Sequence, residues 1–240
     1  FLSAYFFTKD GILSDFKPLR NIIPFNSFKN FSHNKNFPDL NFFKKNPEEI
    51  SKYWIKNQQI INEKLKSNII FYKTHNALVE KNLNYFTNNK QTKCFIYVVR
   101  DPRSIVLSSK HHYGFKNYEE AVEVILSDKW MSYVTEKPKL LPELIFSWKT
   151  NFLSWQNYYA KNNEKGIILR YEDLVNKPET TFLLLIEFLK KHFDFTLNLE
   201  KFRNSLNSIN FNKLKKIENE KGFEEKSRKT NSFFRKGETT

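Results

Sequence analysis

The chain has 240 residues, 40% hydrophobic and 17% aromatic, enough apolar side chain for a sizeable core and too much for a wholly disordered polymer. Its 40 Lys and Arg against 26 Asp and Glu leave a formal net charge of +14, which points to anionic partners: nucleotides, nucleic acid, acidic glycans or a membrane surface. The single cysteine, Cys94, excludes an internal disulfide and fits a reducing, cytoplasmic setting, and no apolar run reaches the roughly 18 residues of a membrane span.

Residues 1–8 read as the end of a helix stopped near Gly11, and a chain opening on Phe1 reads as a fragment or processed product. Residues 15–45, rich in Phe, Asn, Lys and Pro without periodicity, suit a long surface loop. From Asn46 a helix is expected, with Asn46 as N-cap, Pro47 at its first position, and Ile50, Tyr53, Trp54, Ile61 and Leu65 on one face. "NIIFYKTH" (68–75) reads as a strand and "VEKNLNYFTNN" (79–89) as a short helix. "CFIYVVR" (94–100) is a second strand, after which Asp101 and Pro102 cap and open a helix. Helices follow over 117–129 and 142–162, the latter with Leu144, Trp148, Phe152, Trp155 and Tyr159 on one side. "GIILRYEDL" (166–174) is a third strand, Pro178 starts a helix to residue 193, and the polar, basic tail from Asn198 carries a helix near 211–220.

Helices alternate with strands that are continuous apolar runs. This is the pattern of an α/β fold whose central parallel sheet is covered on both faces. In such sheets ligands bind beyond the carboxyl ends of the strands.

The first strand delivers Lys73 and His75, two residues apart and so on one side: a cation beside a group that takes a proton near neutral pH. As plain structure, they are a solvated lysine and a loop histidine. The second delivers Arg100 at a helix start, where backbone N–H groups, the dipole and a guanidinium together suit a phosphate; otherwise Arg100 pairs with Asp101, Glu172 or Asp173. Ser104 and Ser108 lie one turn apart on that helix. The third delivers Tyr171, for a base or for the core. "FFRKG" (233–237) sets Arg235 and Lys236 before Gly237, a loop able to wrap a phosphate. No G-x-x-x-x-G-K-[ST] loop is present, and nothing has metal-ligand spacing.

"YKTH", "YVVRDPRSIVLSS", "LRYEDLVNKPETTFLLLIEFL" and "FFRKGE", in this order and spacing, resemble the cytosolic-type sulfotransferase domain over most of residues 69–240. The resemblance implies a three-layer P-loop NTPase-like fold, with residues 1–240 forming one domain that lacks the family's N-terminal strand and phosphate loop. It implies sulfuryl transfer from 3′-phosphoadenylyl sulfate (PAPS), without a metal, to a hydroxyl or amine of a small-molecule or glycan acceptor. In that analogy His75 is the general base and Lys73 stabilises charge on the transferring group. Arg100 and Ser108 bind the donor's 3′-phosphate, Arg235, Lys236 and Gly237 form its second clamp, and Tyr171 and Phe211 pack on the adenine. Thr240 stands where the family's closing motif has glycine, and "SIN" before Phe211 departs from the family's Thr-Ser-Phe. A small-molecule kinase and a non-catalytic binder of nucleic acid or acidic glycan are the alternatives; on the sulfotransferase reading, nucleic acid is not an expected partner.

Overall fold

Capping chemistry and aromatic burial decide where elements begin in this computed structural model, which describes residues 1–33, 36–65, 67–136, 139–226 and 232–234. In chain order it forms α1 (Leu2–Phe7), β1 (Ile23–Pro24), α2 (Phe28–Phe31), α3 (Leu40–Lys45) and α4 (Trp54–Lys64). Then come β2 (Tyr72–Lys73), β3 (Glu80–Lys81), β4 (Asn84–Tyr85), β5 (Phe95–Val99), α5 (Pro102–Tyr113) and α6 (Tyr118–Leu126). After β6 (Thr135–Glu136) and β7 (Lys139–Leu140) follow α7 (Trp148–Lys161), β8 (Gly166–Arg170), α8 (Tyr171–Asn176), α9 (Pro178–His192), α10 (Leu199–Ser208) and α11 (Phe211–Lys221). Strands β1 and β2 pair in parallel, β3–β4 and β6–β7 are antiparallel, and β5 neighbours β8. The described residues form two compact units, one from Phe1–Ile22, Val98–Val122 and Ile168–Thr240, the other from Ile23–Tyr97 and Glu123–Ile167.

The second unit is built on rings. Phe25, Phe31, Phe43, Ile50, Trp54, Phe86, Phe95, Leu141, Leu144 and Trp155 form its core. Phe25 meets Phe31 and Phe86 edge-on at 5.4 and 5.5 Å between centroids, the arrangement ring quadrupoles favour. Residues 15–45 are therefore not a surface loop. Phe25, Phe31 and Phe43 enter the core from a turn and two short helices, with Phe28 and Phe37 packed against them, so no single periodicity shows.

Three more expectations change in this unit. Asn46 does not cap a following α-helix: its backbone N–H and side-chain amide both donate to the Phe42 carbonyl, closing α3, and Pro47–Tyr53 is 3-10 before α4 begins. Residues 79–89 form a hairpin, with Asn82 and Leu83 at φ 51° and 62°. Two successive positive φ values are what a primed two-residue turn requires. Helix α7 starts at Trp148, not at Pro142, because Ser147 caps it by accepting from Thr150 N at 3.1 Å.

In the first unit, α9 buries Phe182, Leu185, Ile186 and Leu189 at helical spacing. Helix α10, which the sequence reading left within the polar tail, buries Phe202 together with the small hydroxyls of Ser205 and Ser208. Ser205 donates to Lys201 O, and Ser208 donates to Gly11 O while accepting from Leu13 N. Gly11 sits at φ 86°, and a Cβ there would fall 2.3 Å from Lys201 O, so glycine is required twice over. Among the described residues no helix is long and apolar enough to cross a membrane.

Candidate functional site

Arg100 leaves the end of β5 immediately before α5. Asp101 caps that helix, accepting from Arg103 N at 2.8 Å, and its carboxylate also takes the Arg103 guanidinium at 2.6 Å. These bonds hold the Asp101 carboxyl down at about 2. Glu172 accepts the Asp101 backbone N–H at 2.9 Å, which holds its own pKa below the usual carboxylate range. That contact sets the ends of β5 and β8 beside each other. The Arg100 guanidinium lies 4.2 Å from the centroid of the Tyr171 ring, within cation–π range. Tyr171 thus opens α8 and does not end a strand, a correction to the sequence reading: Glu172 and Asp173 supply the acidic first turn that a helix start favours.

Ser104 is buried on α5, and Ser108, one turn on, is exposed. Phe211 opens α11, where Asn210 caps by accepting from Asn212 N at 3.0 Å, and its ring stands edge-on to Phe234 at 6.3 Å. Glu218, on the same helix, accepts from Ser232 Oγ and from the Phe233 and Phe234 backbone N–H groups at 2.9, 2.6 and 3.0 Å. Arg235, Lys236 and Gly237 lie outside the described residues. Arg100, Ser104, Ser108, Tyr171, Phe211 and Glu218 belong to the first unit.

Lys73 and His75 belong to the second. Lys73 ends β2 opposite Pro24, whose missing N–H costs the ladder nothing because Ile23 and Phe25 donate to Phe71 O and Lys73 O at 2.8 Å each. Lys73 and His75 are both exposed; the turn between and after them is tightly held. Glu143, only 2% exposed, uses Oε1 to accept from the His75 backbone N–H at 2.7 Å, from Thr74 Oγ1 at 2.8 Å and from Asn76 Nδ2 at 3.4 Å. Asn76 Oδ1 accepts from Leu144 N, and Ala77 N donates to Leu144 O. The His75 carbonyl accepts from Asn151 Nδ2 at 3.1 Å, and Tyr97 OH in turn donates to Asn151 Oδ1 at 2.9 Å. Burial pushes the Tyr97 phenol up to about 12 and the Cys94 thiol up to about 11, so neither is an anion near neutral pH.

The structure therefore brings Arg100 to Tyr171, and Lys73 and His75 to one turn. Sequence reasoning missed Glu143, Asn76 and Asn151. The available signal was a lone acid inside the apolar run "LLPELIF", since a buried carboxylate needs donors. Among the described residues no group of three or more His, Cys, Asp and Glu is suited to holding a metal ion.

Compared with known proteins, residues 19–240 match the sulfotransferase domain. The crystal structure of mouse sulfotransferase SULT7A1 complexed with PAP superposes with a TM-score of 0.51 at 18% identity, covering 74% of this chain and 60% of that one. Retinol dehydratase in complex with androsterone and inactive cofactor PAP gives 0.49 at 18% identity, over 76% of this chain and 50% of that one. No curated protein sequence matches. The chain thus spans about three-fifths of the mouse protein, and at this identity the likeness is one of fold: the P-loop-like α/β fold that the family resemblance implied. With the match running over residues 19–240, this chain belongs to the sulfotransferase domain family.

Proposed function

We propose that this chain binds PAPS and moves its sulfuryl group to a hydroxyl or amine of a small-molecule or glycan acceptor. The observation that carries the reading is the Arg100 guanidinium set over the Tyr171 ring at the start of α5. A guanidinium suits a phosphate, and an aromatic ring suits a base. Asp101, whose charge would oppose an anion there, is compensated by Arg103. Arg100 and Ser108 are the proposed partners of the 3′-phosphate, Tyr171 and Phe211 those of the adenine, and Arg235, Lys236 and Gly237 a second phosphate clamp. PAPS supplies an electrophilic sulfur with 3′,5′-adenosine bisphosphate (PAP) as leaving group. His75 takes the acceptor's proton as its oxygen or nitrogen bonds to sulfur, and Lys73 balances charge on the transferring group. Alignment and charge stabilisation are what such a transfer chiefly needs.

A thermal shift tests the nucleotide site. At a hundred times its dissociation constant PAP adds about 2.7 kcal/mol of stability, roughly 5–10 °C in a domain of this size. The expected result is a shift with PAP, little with ADP, and loss of the PAP shift in Arg100→Ala. No shift with PAP, or equal shifts with ADP, overturns the reading.

A further inference from the structure

The exposed His75 has both of its backbone groups tied. Its N–H goes to the buried Glu143 carboxylate and its carbonyl to Asn151. The residues on either side, Thr74 and Asn76, converge on the same Glu143 oxygen, and Thr74 Oγ1 also accepts the Asn76 N–H at 3.1 Å and the Asn76 Nδ2 at 2.9 Å. Glu143 is itself fixed at both ends of its backbone, its N–H donating to Ser132 Oγ at 2.8 Å and its carbonyl accepting from Ser132 N at 3.0 Å. Three residues on, Phe146 is held at φ 62°, a conformation that costs a bulky side chain and persists only where its surroundings enforce it. A buried acid in an apolar stretch is a poor way to build stability alone; three donors from one turn of chain are a good way to define that turn.

We infer that Glu143 is a positioning residue for His75, which fixes the turn carrying the imidazole by accepting its backbone N–H and the Thr74 and Asn76 side chains. Asn151 closes the other side of the same turn. The inference rests on His75 being the base. Glu143 acts through geometry, since one carbonyl-type oxygen takes all three donors, so a neutral amide at this position preserves the device.

The test uses the full-length protein, radiolabelled PAPS and three acceptors: 2-naphthol, a 3-hydroxysteroid and an N-deacetylated glycosaminoglycan. Glu143→Ala lowers kcat by about 10²-fold, the effect of a misplaced group, while the PAP thermal shift stays as in the wild type. Glu143→Gln keeps most of the turnover. His75→Ala lowers kcat about 10²–10⁴-fold, and adding Glu143→Ala to it lowers kcat no further, because both remove the same function. Slow hydrogen exchange at the His75 amide, kept in Glu143→Gln and lost in Glu143→Ala, reports the turn directly. Should Glu143→Ala fail to fold, Glu143→Asp, one methylene too short, takes its place. Loss of turnover in Glu143→Gln equal to that in the alanine variant, or additive losses in the double variant, overturns the inference. So does full activity in Glu143→Ala where His75→Ala is inactive, leaving His75 as base. Activity unaffected by His75→Ala, or no transfer to any acceptor, overturns the reading of function and the inference with it.

Discussion

Two buried carboxylates, Glu143 and Glu218, gather N–H and O–H donors from a stretch of chain distant in sequence. Glu143 collects Thr74, His75 and Asn76, and Glu218 collects Ser232, Phe233 and Phe234. For Glu218, burial alone raises the pKa, but the N–H groups of Phe233 and Phe234 and the Ser232 hydroxyl bind the charged form and bring the net shift below the ordinary 4.5. A lowered folded pKa means that the tether is fully present above the unfolded value and is lost as pH falls through the folded one. Hydrogen exchange at the Phe233 and Phe234 amides, corrected for intrinsic rates, is expected to stay slow at neutral pH and to rise as pH falls through the lowered folded pKa of Glu218. Glu218→Ala shows the fast rate at neutral pH already. Exchange in the wild type that is flat across that range, with Glu218→Ala unchanged, would remove Glu218 from this role. The residues it holds lead directly into Arg235, Lys236 and Gly237.

At the scale of elements, the hairpin β3–β4 is the place where propensity and conformation disagree most. Leu83 is 89% exposed and sits at φ 62°, so its side chain contributes little packing while its Cβ suffers the left-handed backbone. Leu83→Gly turns the central pair into Asn-Gly, the preferred primed turn, and is expected to raise stability by about 1 kcal/mol, read as a higher urea midpoint with an unchanged slope. A lower midpoint would mean that the extra freedom glycine gives the unfolded chain outweighs the relieved strain. The same hairpin shows why parts of the fold were not legible. Asn82 was a sufficient turn signal, but a leucine in the second turn position masked it, and the Lys, Asn and Glu around it suit a helix surface equally. Where local chemistry points one way the reading succeeds: Asp101-Pro102 opens α5, Pro178 opens α9, and "CFIYVVR" holds β5. That Lys73 and Arg100 stand at strand ends was legible, because the apolar runs before them mark where β2 and β5 stop. Glu143 and Asn151 were not. Their roles lie in contacts to a turn 68 and 76 residues away in sequence, which no periodicity encodes.

For the whole molecule, the question is what a charge of +14 does. Some of its lysines are spent on exposed helix pairs, Lys52 with Glu49, Lys190 with Glu187 and Lys216 with Glu220, each separated by three or four residues and each worth little. The excess positive charge makes a diffuse field that attracts any polyanion by counterion release, and such attraction falls steeply with salt. A built site behaves otherwise: a guanidinium beside an aromatic ring at a helix start makes short, partly desolvated contacts that salt screens weakly. The two modes therefore separate on one axis. Between 50 and 300 mM salt, binding of a random-sequence DNA duplex or heparin is expected to weaken by about 10³-fold or more, as for any ligand held by several phosphate-type contacts. The PAP thermal shift is expected to keep most of its size over the same range. If both fall together, the +14 field and not the Arg100–Tyr171 pair holds the nucleotide, and sulfuryl transfer would lose its donor site. If only the polyanion is lost, the charge is a property of the surface and the proposed nucleotide site at Arg100 and Tyr171 stands.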